Sequence, residues 1–200
     1  DLRMSRGLGD VYKRQVPVVQ MDSVIGNKSG KVLLTMFSQN TNLLLAFLRD
    51  HNTARSVLDV FNDLYAMFGR ETYCRLFPVI LTDRGSEFSN PVPIEQDEND
   101  ELRSLVFYCN PSVPYQKGGI EVAHELVRRV LPKGKSFDDL QQEDIDLMLS
   151  HINSYKRGKL NSRSAYQLFN FIYGDDILPK LNIREIEAND IVLSPKLLKK

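Results

Sequence analysis

The sequence predicts an α/β fold, a mixed five-stranded sheet flanked by helices, and three observations predict it. Three runs of β-prone apolar residues, 16–25, 32–37 and 43–48, follow one another with only short polar breaks. A segment of helical periodicity separates them from two further apolar runs, 79–82 and 105–109. Amphipathic helical patterns over about 119–131 and 142–155 come last. The runs are almost continuously hydrophobic, so helices must cover at least one face of the sheet.

Composition bounds the rest. Two hundred residues, 42% of them hydrophobic, fit one globular domain with a real core and an appended tail. The 26 basic and 26 acidic residues cancel, so any basic surface must be local. Acids crowd residues 95–101 (EQDENDE), whereas bases gather at Arg128, Arg129, Lys133 and Lys135 and again at Lys156, Arg157, Lys159 and Arg163. Cys74 and Cys109 sit in apolar surroundings without metal-ligand spacing and read as reduced thiols of a cytosolic protein. No apolar run reaches membrane-spanning length and no signal peptide is visible, so a soluble cytoplasmic chain with no membrane partner is expected.

Residues 1–15 (DLRMSRGLGDVYKRQ) show no periodicity and resemble translated sequencing-adapter sequence. They are set apart from the fold as a non-native leader, on which reading whatever preceded Val16 is missing. In 16–25, β-branched residues surround a single acid, Asp22, before a turn at Gly26, Asn27 and Gly30. The next two runs, joined by SQNTN, complete a three-stranded meander. Thr53 is a good N-cap for a helix in which Val57, Leu58, Phe61, Leu64, Tyr65 and Phe68 recur at helical spacing, with Gly69 as its expected stop.

The fourth run passes straight into Asp83, Arg84 and Gly85, so a buried strand ends in a carboxylate and turns. Carboxylates are poor core residues unless paired or metal-bound, which makes Asp83 a candidate site residue. Its rival role is to cap the turn through its own backbone. A Pro- and Gly-rich loop, PSVPYQKGG, then leads into the helix over 119–131. There Ile120, Ala123, Leu126, Val127, Val130 and Leu131 share one face, and Glu121, Glu125 and Arg128 the other. The plain reading is a surface helix whose acid–base pairs are worth only a few tenths of a kcal/mol each. The helix over 142–155 carries Ile145, Leu149 and Ile152 on one face, a shorter apolar helix spans about 164–173, and the tail to Lys200 shows no pattern.

This element order fits several folds, among them an RNase H-like fold over residues 16–160, with 161–200 a C-terminal helical extension and tail. The acids sharpen the reading: Asp22 lies in the first strand, Asp83 at the end of the fourth and Glu121 in the first turn of a helix. Grouped carboxylates repel, a cost accepted where divalent cations neutralise them. Two such ions can hold a phosphodiester, activate the attacking oxygen and stabilise the leaving one, and oxygen ligands suit Mg²⁺ or Mn²⁺ better than zinc.

With those residues in view, the sequence resembles DDE transposases and integrases, most closely the insertion-sequence-thirty family. The resemblance rests on MDSVIG (21–26), PVILTDRGSEF (78–88), FYCNPSVPYQKGGIEVAHELVRRVLPKGKSFDDL (107–140) and EDIDLMLSHINSYKR followed by LN. It implies a retroviral-integrase-like catalytic core in which Asp22, Asp83 and Glu121 are the catalytic, metal-binding triad for two Mg²⁺ (or Mn²⁺) ions. It also implies cleavage at transposon inverted-repeat ends and transfer of the freed 3′-hydroxyl into target DNA, by a homo-oligomer on bacterial, nucleoid-associated DNA. A helix-turn-helix that binds the ends would precede the core.

Two departures and several candidates accompany the resemblance. Arg84 stands where the family commonly has Asn, and it could contact a DNA phosphate or compete with metal for Asp83. His124 stands where relatives often show Asn, and Glu125 is a rival for Glu121, although the spacing after KGG favours Glu121. Lys117, Arg128, Arg129, Lys133 and Lys135 are candidates for the DNA backbone, with Arg84, Tyr115, Gln116 and His124 beside them; for each lysine or arginine the alternative is a solvated surface charge. His51 and His151 have no clustered ligands and read as structural or exposed. The competing functions are a catalytically idle fragment that binds DNA or a sister subunit, and a different RNase H-like nuclease.

Overall fold

A computed structural model describes residues 16–27, 30–110 and 114–198, without the side chains of residues 114 and 115; the leader lies outside the described residues. Five strands form one sheet in the order β3-β2-β1-β4-β5. They are β1 (Val18–Ile25), β2 (Val32–Ser38), β3 (Leu44–Arg49), β4 (Val79–Thr82) and β5 (Leu105–Tyr108). The first three are an antiparallel meander, while β4 joins β1, and β5 joins β4, in parallel. A parallel neighbour needs a crossover, and α1 (Ala54–Leu76) supplies it between β3 and β4. The expected mixed five-stranded, RNase H-like sheet is thus present.

Helix α1 starts as anticipated. Thr53 Oγ1 accepts the Ser56 N–H at 3.2 Å, and Ser56 answers with its own side chain in a capping box. Gly69 does not end the helix. It takes φ 71° and ψ 164°, which only glycine adopts at little cost, and makes a kink after which the chain resumes helical form to Leu76. Beyond the kink Tyr73 and Leu76 return to the core, and burying an aromatic ring such as Tyr73 stabilises by roughly 2 kcal/mol, which outweighs the broken turn. Phe61, Leu64 and Tyr73 pack with Leu33, Leu34 and Ile80 in the main core, whereas Val18, Val79, Leu81 and Phe107 form a smaller cluster.

The remaining helices are α2 (Val92–Glu95), α3 (Gly118–Val130), α4 (Gln142–Ser154), α5 (Ala165–Tyr173) and α6 (Ile177–Lys180). Helix α4 lies along the outer edge of β3 and satisfies that edge with side-chain amides. Asn153 accepts from Leu44 N at 2.9 Å and donates to Leu44 O at 2.8 Å, and Gln142 accepts from Leu48 N at 2.8 Å and donates to Ala46 O at 3.0 Å. At the opposite edge, Glu95 Oε1 accepts from Val106 N at 2.8 Å.

The tail, patternless in sequence, docks on α4. Ser150 Oγ accepts from Arg184 N, Ser154 Oγ from Ile186 N, and His151 Nδ1 from Val192 N at 3.1 Å, while Ile183 and Leu198 are buried. No helix among the described residues is long and apolar enough to cross a membrane.

Candidate active site

The site follows from register. Gln20 of β1 lies opposite Leu81 of β4, so two residues further on Asp22 comes beside Asp83, just past the end of β4. Period-two alternation sends both carboxylates to the same face of the sheet. Each acid has one oxygen tied by backbone: Asp22 Oδ1 accepts from Ser23 N at 2.8 Å, and Asp83 Oδ1 accepts from Gly85 N at 2.9 Å. The turn-capping role and the site role of Asp83 therefore coexist on different oxygens. The two other oxygens meet one cation, because Lys117 Nζ lies 3.1 Å from Asp22 Oδ2 and 3.2 Å from Asp83 Oδ2. Lys117 is only 7% exposed.

Gln20 and Thr35 seat helix α3 over this pair. The buried Gln20 accepts from Ile120 N at 2.7 Å and donates to Gln116 O at 3.0 Å, so one amide fixes both the first turn of α3 and the segment that delivers Lys117. Gly119 lies so close to the strands that a Cβ would stand 2.5 Å from the Phe37 ring and 3.0 Å from Gln20 Oε1. One turn along, His124 Nε2 is 2.8 Å from Thr35 Oγ1, and the Thr35 hydroxyl donates to the Asp22 carbonyl at 2.9 Å. That leaves the hydroxyl to accept from Nε2–H. Burial pushes the His124 imidazole below its ordinary pKa, although the nearby Asp22 charge pulls the other way.

Asp22 and Asp83 thus come together, while Glu121 stands exposed in the first turn of α3, on the side of the helix that carries His124. Among the described residues no group of three or more His, Cys, Asp or Glu side chains is placed to hold a metal ion, and neither Glu121 nor Glu125 makes an ion pair. The donor set of the pair nonetheless fits a hard divalent ion. Two carboxylate oxygens converge on a point that a positive charge already occupies, the Lys117 ammonium serving as its stand-in.

The other candidates are dispersed. Arg84 and Arg129 are exposed, as is Lys133, and Lys135 is half-buried. Arg128 donates to Ile25 O at 3.0 Å, and burial lowers its pKa. Gln116 holds the loop, its Oε1 accepting from Asn110 N at 2.8 Å. The Tyr115 side chain is outside the described residues. His51 is exposed, and His151 is a buried structural residue.

Sequence reasoning passed over a polar chain beside the acids. Arg49 Nη2 donates to Ser23 Oγ at 3.0 Å and to Asn52 Oδ1 at 2.9 Å, and Asn52 Nδ2 donates to Glu87 Oε1 at 3.0 Å. Burial brings Arg49 down to about 10 in spite of the Glu87 charge. The signal in the sequence was the charged end of an apolar strand, LLAFLR, followed closely by Asn52. Cys109, next in register to Asp83, was also given no role, and its thiol is pushed up by burial.

This five-stranded sheet with its flanking helices is the RNase H-like fold of retroviral integrase catalytic cores. The chain superposes on the catalytic core domain of BIV integrase with a TM-score of 0.52 at 20% identity, covering 78% of this chain and 92% of that one. No family model matches it. Its curated relatives are transposases and integrases. A Spiroplasma virus protein named as an integrase is 28% identical over 151 residues, 76% of this chain and 45% of the relative. Transposase InsI of insertion sequence element IS30A from Escherichia coli is 22% identical over 147 residues, 74% of this chain and 36% of the relative. The chain spans less than half the length of these two relatives, and the resemblance to insertion-sequence-thirty transposases drawn from the motifs is borne out.

Proposed function

We propose that this chain is the catalytic core of a DDE transposase, which cuts at transposon ends and joins the freed 3′-hydroxyl to target DNA. The observation that carries the proposal is the carboxylate pair: Asp22 and Asp83 each have one oxygen held by a backbone N–H and the other turned to a shared cation position. Such preorganisation is what a site needs if it is to receive charge without rearranging. In this reading Asp22, Asp83 and Glu121 hold the metal, Glu121 being carried into reach by the turn of α3 that Gln20 fixes. Bound Mg²⁺ or Mn²⁺ would supply Lewis acidity at the scissile phosphate and an activated attacking oxygen.

The chain's own residues do the rest. The Thr35 hydroxyl and the neutral His124 brace the backbone of Asp22. The exposed Arg84, Arg129 and Lys133 offer positive charge for the DNA backbone, with transposon ends and target as partners and a multimer on DNA as the working form.

The test is a strand-transfer assay with matched transposon ends and target plasmid, run with Mg²⁺ and with EDTA. Joined product should require the metal and should vanish in Asp22→Asn and Asp83→Asn while each variant remains folded. Product formed in EDTA, or by either variant at the wild-type rate, would refute the proposal.

A further inference from the structure

We propose that Lys117 is the site's internal cation, a positioning residue that holds Asp22 and Asp83 together without metal and that the first divalent ion must displace. The inference rests on the metal-binding reading above and adds a competitor to it. Its basis is placement: an ammonium 7% exposed, with Asp22 and Asp83 as its only ion-pair partners among the described residues. Two carboxylates on adjacent strands would repel at this separation, and the lysine removes that repulsion. Lysine suits the position because its ammonium is a compact point charge on a flexible stem, able to leave as a unit.

The geometry also makes the two cations exclusive. The free oxygen of each aspartate points at Nζ while its other oxygen is engaged by backbone, so a metal ion using the same two free oxygens would have to occupy the ammonium's position. Like charges that close repel strongly even near a protein surface. Lys117 also belongs to the segment fixed by Gln20, so the ammonium is delivered by the fold and not by chance rotation of a surface side chain. Once displaced it is a cation at the mouth of the site, where a phosphodiester oxygen is its natural next partner. Metal and DNA would then favour each other's binding through one side chain.

The test is calorimetric titration of the chain with Mn²⁺ alone, in wild type, Lys117→Met, Lys117→Gln and Asp83→Asn, with melting temperature recorded for each. Removing the competitor should tighten the first Mn²⁺ in Lys117→Met by about tenfold or more, with Lys117→Gln following in the same direction. Asp83→Asn should bind more weakly than wild type. Unchanged or weaker binding in both Lys117 variants, with binding still dependent on Asp83, would overturn this inference and leave the metal site standing. Binding indifferent to Asp83 would overturn both. Failure of both Lys117 variants to fold, with Mn²⁺ as without it, would make the ammonium a structural ion-pair partner and overturn the inference alone.

Discussion

Replacing Gln20 with leucine tests the joint that carries the site. Gln20 is 2% exposed, and leucine nearly conserves its bulk, so the change acts through hydrogen bonding. Two bonds are lost, the 2.7 Å bond from Ile120 N and the 3.0 Å bond to Gln116 O. Each buried backbone group left without a partner costs about 1–3 kcal/mol, and the added apolar burial returns roughly 1 kcal/mol, for a net loss of about 1–5 kcal/mol. For a domain of this size that corresponds to a fall in melting temperature of roughly 2–20 °C. Gln20→Glu keeps the acceptor for Ile120 N but sets a carboxylate against the Gln116 carbonyl, so it should fall between wild type and leucine. Thermal unfolding by circular dichroism gives the stabilities, and strand transfer at 20 °C reports on the folded population. Gln20→Leu should lose joined product even where it is fully folded, since Lys117 and Glu121 both lose their anchor. A leucine variant melting within about 2 °C of wild type would mean that those groups find other partners and that Gln20 does not seat α3.

Glu121→Gln should abolish strand transfer while leaving DNA binding and melting temperature largely intact, and Glu125→Gln should matter much less; equal loss in both would undo the choice between them, and full activity in Glu121→Gln would remove the mechanism. Burial pushes both His124 and His151 below their ordinary pKa, so each is neutral in the folded state at pH 7 and takes up a proton more readily when unfolded. The stability this represents is present above about pH 6.5, the ordinary histidine value, and is lost as pH falls through the lower folded-state values. Melting temperature should therefore drop between pH 7.5 and 5. His151→Leu should lower stability at pH 7.5, through loss of the Val192 N–H acceptor, yet flatten the acid side of the curve. A wild-type profile flat over that range would contradict the account.

The sheet was legible because each strand announces itself by an apolar run, and the pairing of Asp22 with Asp83 was foreshadowed because one acid interrupts such a run and the other ends one. What could not be read was anything that depends on two distant segments meeting. Gly69 looks like a stop in sequence, and only the packing of Tyr73 and Leu76 beyond it shows why the helix continues. Lys117 looks like one more basic residue in a loop, because its partners lie 95 and 34 positions away. The tail showed no pattern because its ties to Ser150, His151 and Ser154 run through backbone N–H groups, which carry no side-chain signature. Glu121 was picked out by motif alone, and its carboxylate has no ion-pair partner among the described residues.

The amides of α4 that close the edge of β3 have a consequence for how the chain is made. Leu44 and Asn153 are 109 residues apart, so at synthesis speeds of about 5–20 residues per second the meander exists for roughly 5–20 s before its edge can be covered. During that interval the nascent chain presents an open, strongly apolar strand next to identical copies on neighbouring ribosomes, the arrangement that favours pairing between chains. Demand for a chaperone should therefore be concentrated between the emergence of β3 and that of α4, and should ease once Asn153 has left the exit tunnel.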